Sequence, residues 1–183
     1  MVRSRDLEAA GVSRAELQRL VAEGRIERVD RGLYKLPGVV LTAKHSLAQA
    51  SRLVPRGVVC LLSALRFHEL TTQNPPEVWM AIAGKAWRPK PSSLRLRLVH
   101  MSGQLLEKGV ETHDVGGVEV RVTSAARTVA DCFKFRNKIG VDVAVEALRD
   151  FTRHHRGGAQ DLARFAKLCR VTRVMQPYLD SIA

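Results

Sequence analysis

The sequence predicts an α+β protein: a partial winged helix-turn-helix at the N-terminus, then a mixed α/β domain with a helical C-terminal end. Three observations carry that reading. Two short apolar-periodic segments, each closed by a glycine, precede a compact alternating run from Arg25 to Lys35. Strand-like segments dominate the middle of the chain. From Ser124 onward the apolar residues recur at helical spacing.

Ser4 is placed to cap a helix over Arg5–Ala10, and Gly11 ends it where a positive φ is easiest. Ser13-Arg14-Ala15-Glu16 reads as a capping box, with Ser13 bonding the Glu16 amide and Glu16 reaching back. The helix it opens puts Leu17, Leu20 and Val21 on one face, exposes Arg14, Gln18 and Arg19, and closes at Gly24. RIERVDRGLYKLP then forms a hairpin, with Ile26, Val29, Leu33 and Tyr34 as its apolar set and Asp30-Arg31-Gly32 as its turn. Its strands need little help to pair, yet they carry Arg25, Arg28, Arg31 and Lys35.

Helix, glycine-containing turn, helix, basic hairpin is the order of a helix-turn-helix followed by a wing. The hairpin cations then lie beside the face that a recognition helix pushes into a major groove. Arg31 at the tip reaches a minor groove or phosphate oxygens. A small solvated hairpin with ordinary surface arginines is the alternative. A winged helix usually has one more helix in front, whereas only Met1-Val2-Arg3 precedes Ser4. Later segments are therefore expected to cover Leu7, Leu17 and Leu20, or the chain starts inside a longer reading frame. The domain boundary is placed so that residues 1–37 form the module and residues 38–183 the larger α+β domain.

In the larger part, Thr42 to Leu53 reads as a helix stopped by Pro55-Arg56-Gly57. Gly57 to Cys60 is a short buried strand, Leu61 to Leu70 a compact helix and Glu77 to Ala83 the next strand. Leu94 to Val99 alternates, which predicts Leu94, Leu96 and Leu98 on a core face and Arg95 and Arg97 on a wet one. Val110–Val115 and Val118–Val122 make a hairpin turned by Gly116-Gly117. Ser124 caps a helix over Ala125–Phe135. Val141 to Thr152 is helical, with Val145, Leu148 and Phe151 on one face, and helices over Leu162–Leu168 and Val171–Ile182 follow.

Thirty Lys and Arg against 18 Asp and Glu leave a formal charge of +12, which favours nucleic acid or an acidic partner over a membrane. A basic composition inherited from a GC-rich genome is the competing explanation. Cys60, Cys132 and Cys169 lack metal-type spacing and sit in apolar contexts, as buried free thiols of a reducing cytoplasm do. No apolar run approaches the roughly 18 residues of a bilayer span, and charges occupy the place of a signal-peptide core. The chain therefore reads as cytoplasmic.

The search for an enzyme finds little. Six scattered histidines make neither HExxH nor a Cys–His zinc pattern, and no phosphate-cradling glycine loop, GxSxG or GxGxxG occurs. His113-Asp114 in a surface hairpin reads as solvated polarity. Asp131 and Asp142 join no acidic cluster of the kind a nuclease metal site requires. No catalytic residue, metal or cofactor is assigned.

Basic patches are more informative. Lys85, Arg88, Lys90, Arg95 and Arg97 lie in a stretch without acids, near Trp79 and Trp87. Such a mixture suits nucleic acid, because guanidinium pairs with phosphate and a ring stacks on a base. Trp79 is expected in the core, and Trp87 is the candidate exposed ring. Arg153, His154, His155 and Arg156 form a second run, followed by Arg164, Lys167, Arg170 and Arg173; a solvated helix face is the alternative there.

RSRDLEAAGVSRAELQRLVAEGRIERVDRGLYKLPG, then LLSALRFHELTTQNPPEVWMAI, then VTSAARTVADCFKFRNKIGVDVAVEALRD, resembles the AbiEi family in order and spacing. The most specific pieces are Arg31-Gly32-Leu33-Tyr34, Ser63-Ala64-Leu65 with His68, and Ala126-Arg127-Thr128 with Asp131 and Phe133. These proteins are antitoxins of type IV toxin–antitoxin systems, used by bacteria in abortive-infection phage defence. The resemblance implies that the N-terminal module binds operator DNA and represses its own operon, as a transcriptional repressor. It also implies a second domain that opposes a cognate nucleotidyltransferase toxin without needing a stable complex. The matching DNA-binding residues are Ser13, Arg14, Gln18 and Arg19 on the second helix, with Arg28, Arg31 and Lys35 on the wing. The antitoxin surface is assigned from charge alone, to Lys85, Arg88, Lys90, Arg95, Arg97, Arg153, Arg156, Arg164, Lys167, Arg170 and Arg173. The chain departs from the pattern in lacking the first helix. A stand-alone nucleic-acid-binding transcriptional regulator, or a nucleic-acid-processing enzyme with an unrecognised site, are the other readings.

Overall fold

Among the described residues, two sheets and the helices around them make a mixed α/β structure. The computed structural model describes residues 2–30, 32–38, 43–84, 94–101, 103–155 and 157–182. Arg31, Thr42, Lys85, Trp87, Arg88, Lys90 and Arg156, singled out above, lie outside the described residues.

The first sheet belongs to the N-terminal module. Strands β2 (Glu27–Asp30) and β3 (Leu33–Lys35) form the expected antiparallel hairpin, with a bulge between Arg28 and Asp30. A strand that the sequence reading missed, β1 (Val2–Arg3), pairs antiparallel with β3 through Val2↔Tyr34 and Arg3↔Leu33. That pairing corrects the cap assigned to Ser4. Helix α1 runs over Ser4–Ala9, so Ser4 is its first residue, and Arg3 precedes it with no side-chain cap. The Ser4 amide donates instead to the Gly32 carbonyl at 2.9 Å, so the hairpin backbone satisfies the orphan donor. Gly11, at φ +89°, ends the helix, and the Val12 amide returns to the Leu7 carbonyl.

Helix α2 (Arg14–Ala22) begins as expected, with Ser13 Oγ accepting from the Glu16 amide at 3.1 Å. The return half of the box is not made that way. The Glu16 carboxylate turns forward and accepts from Arg19 Nη2 at 2.6 Å. Leu17 and Leu33 are buried, at 2% and 1% exposure, and belong to neither apolar cluster of the larger part. Leu7 and Leu20 are half-buried.

The second sheet has the order β6-β5-β4-β8-β7. Its centre, β4 (Val58–Val59), runs antiparallel to β5 (Val78–Ala83) and parallel to β8 (Glu119–Thr123). β5 pairs in parallel with β6 (Leu96–Met101), and β8 antiparallel with β7 (Val110–Asp114). Alternation along β5 feeds two cores: Trp79 and Ala81 on one face, Val78, Met80 and Ile82 on the other. Helix α3 (Ala43–Leu53) supplies Leu47, Ala48 and Ala50 to the second face. The first face is covered by α4 (Leu61–Phe67), α5 (Ala125–Lys134), α7 (Val141–His154), α8 (Ala159–Cys169) and α9 (Thr172–Ile182), with α6 (Arg136–Ile139) between α5 and α7.

Two expectations are amended here. α4 stops at Phe67 because Glu69 takes a left-handed φ of +60° and the Leu70 amide returns to the Leu65 carbonyl. The face of β6 that carries Arg97 is not wet along its length, since Val99 and Met101 continue it into the larger core. Leu94, Leu96 and Leu98 pack, half-buried, on the opposite side.

Candidate nucleic-acid interface

The amphipathic spacing of α2 does what its sequence promised: Leu17 turns inward while Arg14, Gln18 and Arg19 face solvent. The electrostatics of that face are less simple. Arg14 donates through Nε to Glu8 of α1 at 2.9 Å, and that bond holds the guanidinium pKa above its ordinary value. Arg19 is bracketed by Glu16 at 2.6 Å and Glu23 at 3.5 Å. Ser13 spends its acceptor on the Glu16 amide. Gln18 therefore stands exposed between two arginines that already have carboxylate partners.

On the hairpin, Arg28 is exposed on β2. Lys35 is mostly covered, at 15% exposure, and its Nζ lies 2.6 Å from Glu27 Oε2 across the strand pair. It acts first as a cross-strand tie. Residues 1–37 contain eight Lys and Arg against six Asp and Glu, a formal +2. Residues 38–183 hold the remaining 22 against 12, a formal +10. Most of the basic excess therefore belongs to the larger part.

Its described cations do not gather in one place. Arg95 and Arg97 are exposed at the start of β6, and the Arg97 guanidinium lies 5.5 Å over the ring of Trp79, which is a core residue as expected. Arg153 is 3.8 Å from Asp150 and lines a cleft of about 760 Å³ with His68, Glu111, His154 and His155. There His68 Nε2 sits 2.7 Å from the Thr123 carbonyl, and burial lowers the imidazole pKa. Arg164 pairs with Asp161 at 2.9 Å and covers the Phe165 ring. With Lys167 and Lys108 it lines a separate cleft of about 480 Å³. Arg170 takes a left-handed conformation at the end of α8, and Arg173 is exposed on α9.

His113 and Asp114 do not form a pair of their own. His113 Nε2 is 3.3 Å from Glu111, and Asp114 accepts from the Gly117 amide in the turn. The sequence reading missed a buried assembly centred on Arg127, whose Nε donates to Asp131 at 3.0 Å. Its two other nitrogens donate to the Leu105 and Lys108 carbonyls, each at 2.6 Å. The four-residue spacing of Arg127 and Asp131 was the available signal. Cys60, Cys132 and Cys169 are buried free thiols. Among the described residues no group of His, Cys, Asp and Glu could hold a metal ion, and no helix is long and apolar enough to cross a membrane.

Residues 1–37 match the model of a family described as a transcriptional regulator, AbiEi antitoxin; it is a regulator family rather than an enzyme family. The matched span runs from β1 through β3. No curated protein matches the chain.

Proposed function

With an N-terminal module similar to the AbiEi antitoxin regulators, we propose that this protein binds promoter DNA of its own operon and represses it. We also propose that it counters a cognate nucleotidyltransferase toxin of a type IV system without a stable complex. The observation that carries the reading is the coincidence of the family match with one structural unit, α1, turn, α2 and hairpin. In this reading residues 1–37 are the DNA-binding domain and α2 enters the major groove. Ser13, Arg14, Gln18 and Arg19 face the bases or phosphates, with Arg28, Arg31 and Lys35 alongside. Residues 38–183 carry the antitoxin function, on the cations assigned above from charge, and the protein works in the cytoplasm.

The paired state of Arg14 and Arg19 means that DNA phosphates or bases displace Glu8, Glu16 and Glu23 on binding. Such exposed pairs are weak in water, so the exchange costs little. Replacing Arg14 by Ala is expected to cost about 1–3 kcal/mol on the operon's upstream DNA and to relax sequence preference. Fluorescence anisotropy on upstream and scrambled duplexes measures this; equal losses on both would assign Arg14 to phosphate alone. Co-expression with the neighbouring toxin tests the second half. Operator binding without protection would leave a stand-alone transcriptional regulator.

A further inference from the structure

Two arginines from two parts of the chain meet at one carboxylate. Asp6, in the first turn of α1, accepts from Arg52 Nη1 of α3 at 2.9 Å and lies 3.5 Å from Arg5 Nε. Arg3, in β1, is close enough to Arg5 and Arg52 that their charges, after its own burial, press its pKa down. One carboxylate thus serves two guanidiniums, which leaves a local excess of +1 among Asp6, Arg5 and Arg52. Arg52 Nε is buried and has no hydrogen-bond partner among the described residues, so this guanidinium is not fully committed. The first amide of α1 is already taken by the Gly32 carbonyl, so side chains make this site, not a helix end.

We infer that Arg5 and Arg52 form a composite site for a backbone phosphate of DNA, with Asp6 as the resident anion that the phosphate displaces or joins. The inference rests on the DNA-binding reading of the module and extends it, because Arg52 belongs to the larger part. In a helix-turn-helix the first helix crosses the DNA backbone while the second reads the groove. Here α1 is that first helix, and the cluster sits at its start. A phosphodiester brings one charge and two free oxygens, which suits guanidinium forks that one carboxylate leaves underused. The larger part then contributes directly to DNA affinity, although the family match ends at residue 37.

The competing role for Arg52 is a plain latch that ties α3 to α1 through Asp6. The two roles predict opposite signs for one substitution. At a phosphate site, Asp6→Asn removes a competitor, so the full-length protein should bind upstream duplex DNA several-fold more tightly. Arg52→Gln should weaken binding about tenfold at about 0.15 M salt. It should also reduce the slope of log affinity against log salt by about one phosphate contact. Arg5→Gln, at an exposed position, should weaken binding in the same direction without any question of folding. Circular dichroism and melting of each variant check the fold. If Asp6→Asn weakens binding as Arg52→Gln does, the contact is a latch and the inference is overturned. DNA binding that ignores all three substitutions overturns it too, while leaving the function reading intact. If the unmodified protein binds no upstream duplex, both readings are overturned together. Inorganic phosphate is the control: displacement of bound duplex only by non-specific salt levels supports a backbone site. A phosphate shift of the Arg52 Nε–H resonance, in a protein whose duplex binding ignores Arg52→Gln, would assign the cluster to free anion instead.

Discussion

Arg127 is the largest fully buried side chain among the described residues: a guanidinium held by one carboxylate and two carbonyls. The second Asp131 oxygen accepts from the Cys169 thiol at 3.3 Å. Burial raises the Asp131 pKa, and burial first, then the Asp131 charge, pushes the Cys169 thiol up to about 12, so the sulfur remains a donor. These residues, prominent in the resemblance, serve the core by tying Leu105 and Lys108, just ahead of β7, to α5. Replacing Arg127 by Met should cost about 3–5 kcal/mol in urea unfolding, because it leaves Asp131 buried without its cation. The double change Arg127→Met with Asp131→Leu should recover most of that loss. A double variant as unstable as the single one would mean that the two carbonyls, not the carboxylate, are what Arg127 holds.

Between elements, the tightest fit is at Gly109, where the chain enters β7. A Cβ there would lie 2.5 Å from the Phe165 ring of α8 and 3.1 Å from Arg127 Cβ, at a φ of +68°. Gly109→Ala should therefore combine overpacking, about 1–3 kcal/mol, with backbone strain of about 1–2 kcal/mol. Gly11→Ala, at φ +89° with open space, should cost only the strain. Thermal melting of the two compares them; equal shifts would show that Phe165 simply moves aside. Most elements were legible from sequence because local signals specify them: Ser13 and Ser124 as caps, Gly116-Gly117 as a hairpin turn, the helical period after Ser124. β1 was not, since two residues carry no period and its partner lies about thirty positions away. The same distance hid the true partner of the Ser4 amide. For the candidate interface, exposure of Arg14, Gln18 and Arg19 was readable from spacing. The Glu8–Arg14 pair was not, because it depends on how α1 crosses α2. The cluster at Asp6 escaped for the same reason, with Arg52 forty-six residues away.

At the scale of the molecule, two large clusters support the body, whereas Leu17 and Leu33 are the buried apolar residues described in the module. A unit of this size rarely stabilises itself without help. Native-state amide exchange should therefore show α1 and α2 opening at lower free energy than β5 and α5. Equal protection throughout would mean one cooperative unit, with the Asp6–Arg52 contact and its surroundings transmitting full stability. The charge partition, a formal +10 on residues 38–183 against +2 on residues 1–37, directs the attraction for any polyanion mainly to the body. The parallel pairing of β4 with β8 has a consequence during synthesis. Val59 meets Val122, so β4 waits for about sixty further residues before the sheet can close around it. At about 5–20 residues per second that is a delay of several seconds. The strands β1, β2 and β3 pair only with one another, so on the ribosome the first sheet has every strand it needs while the centre of the body is still missing a neighbour.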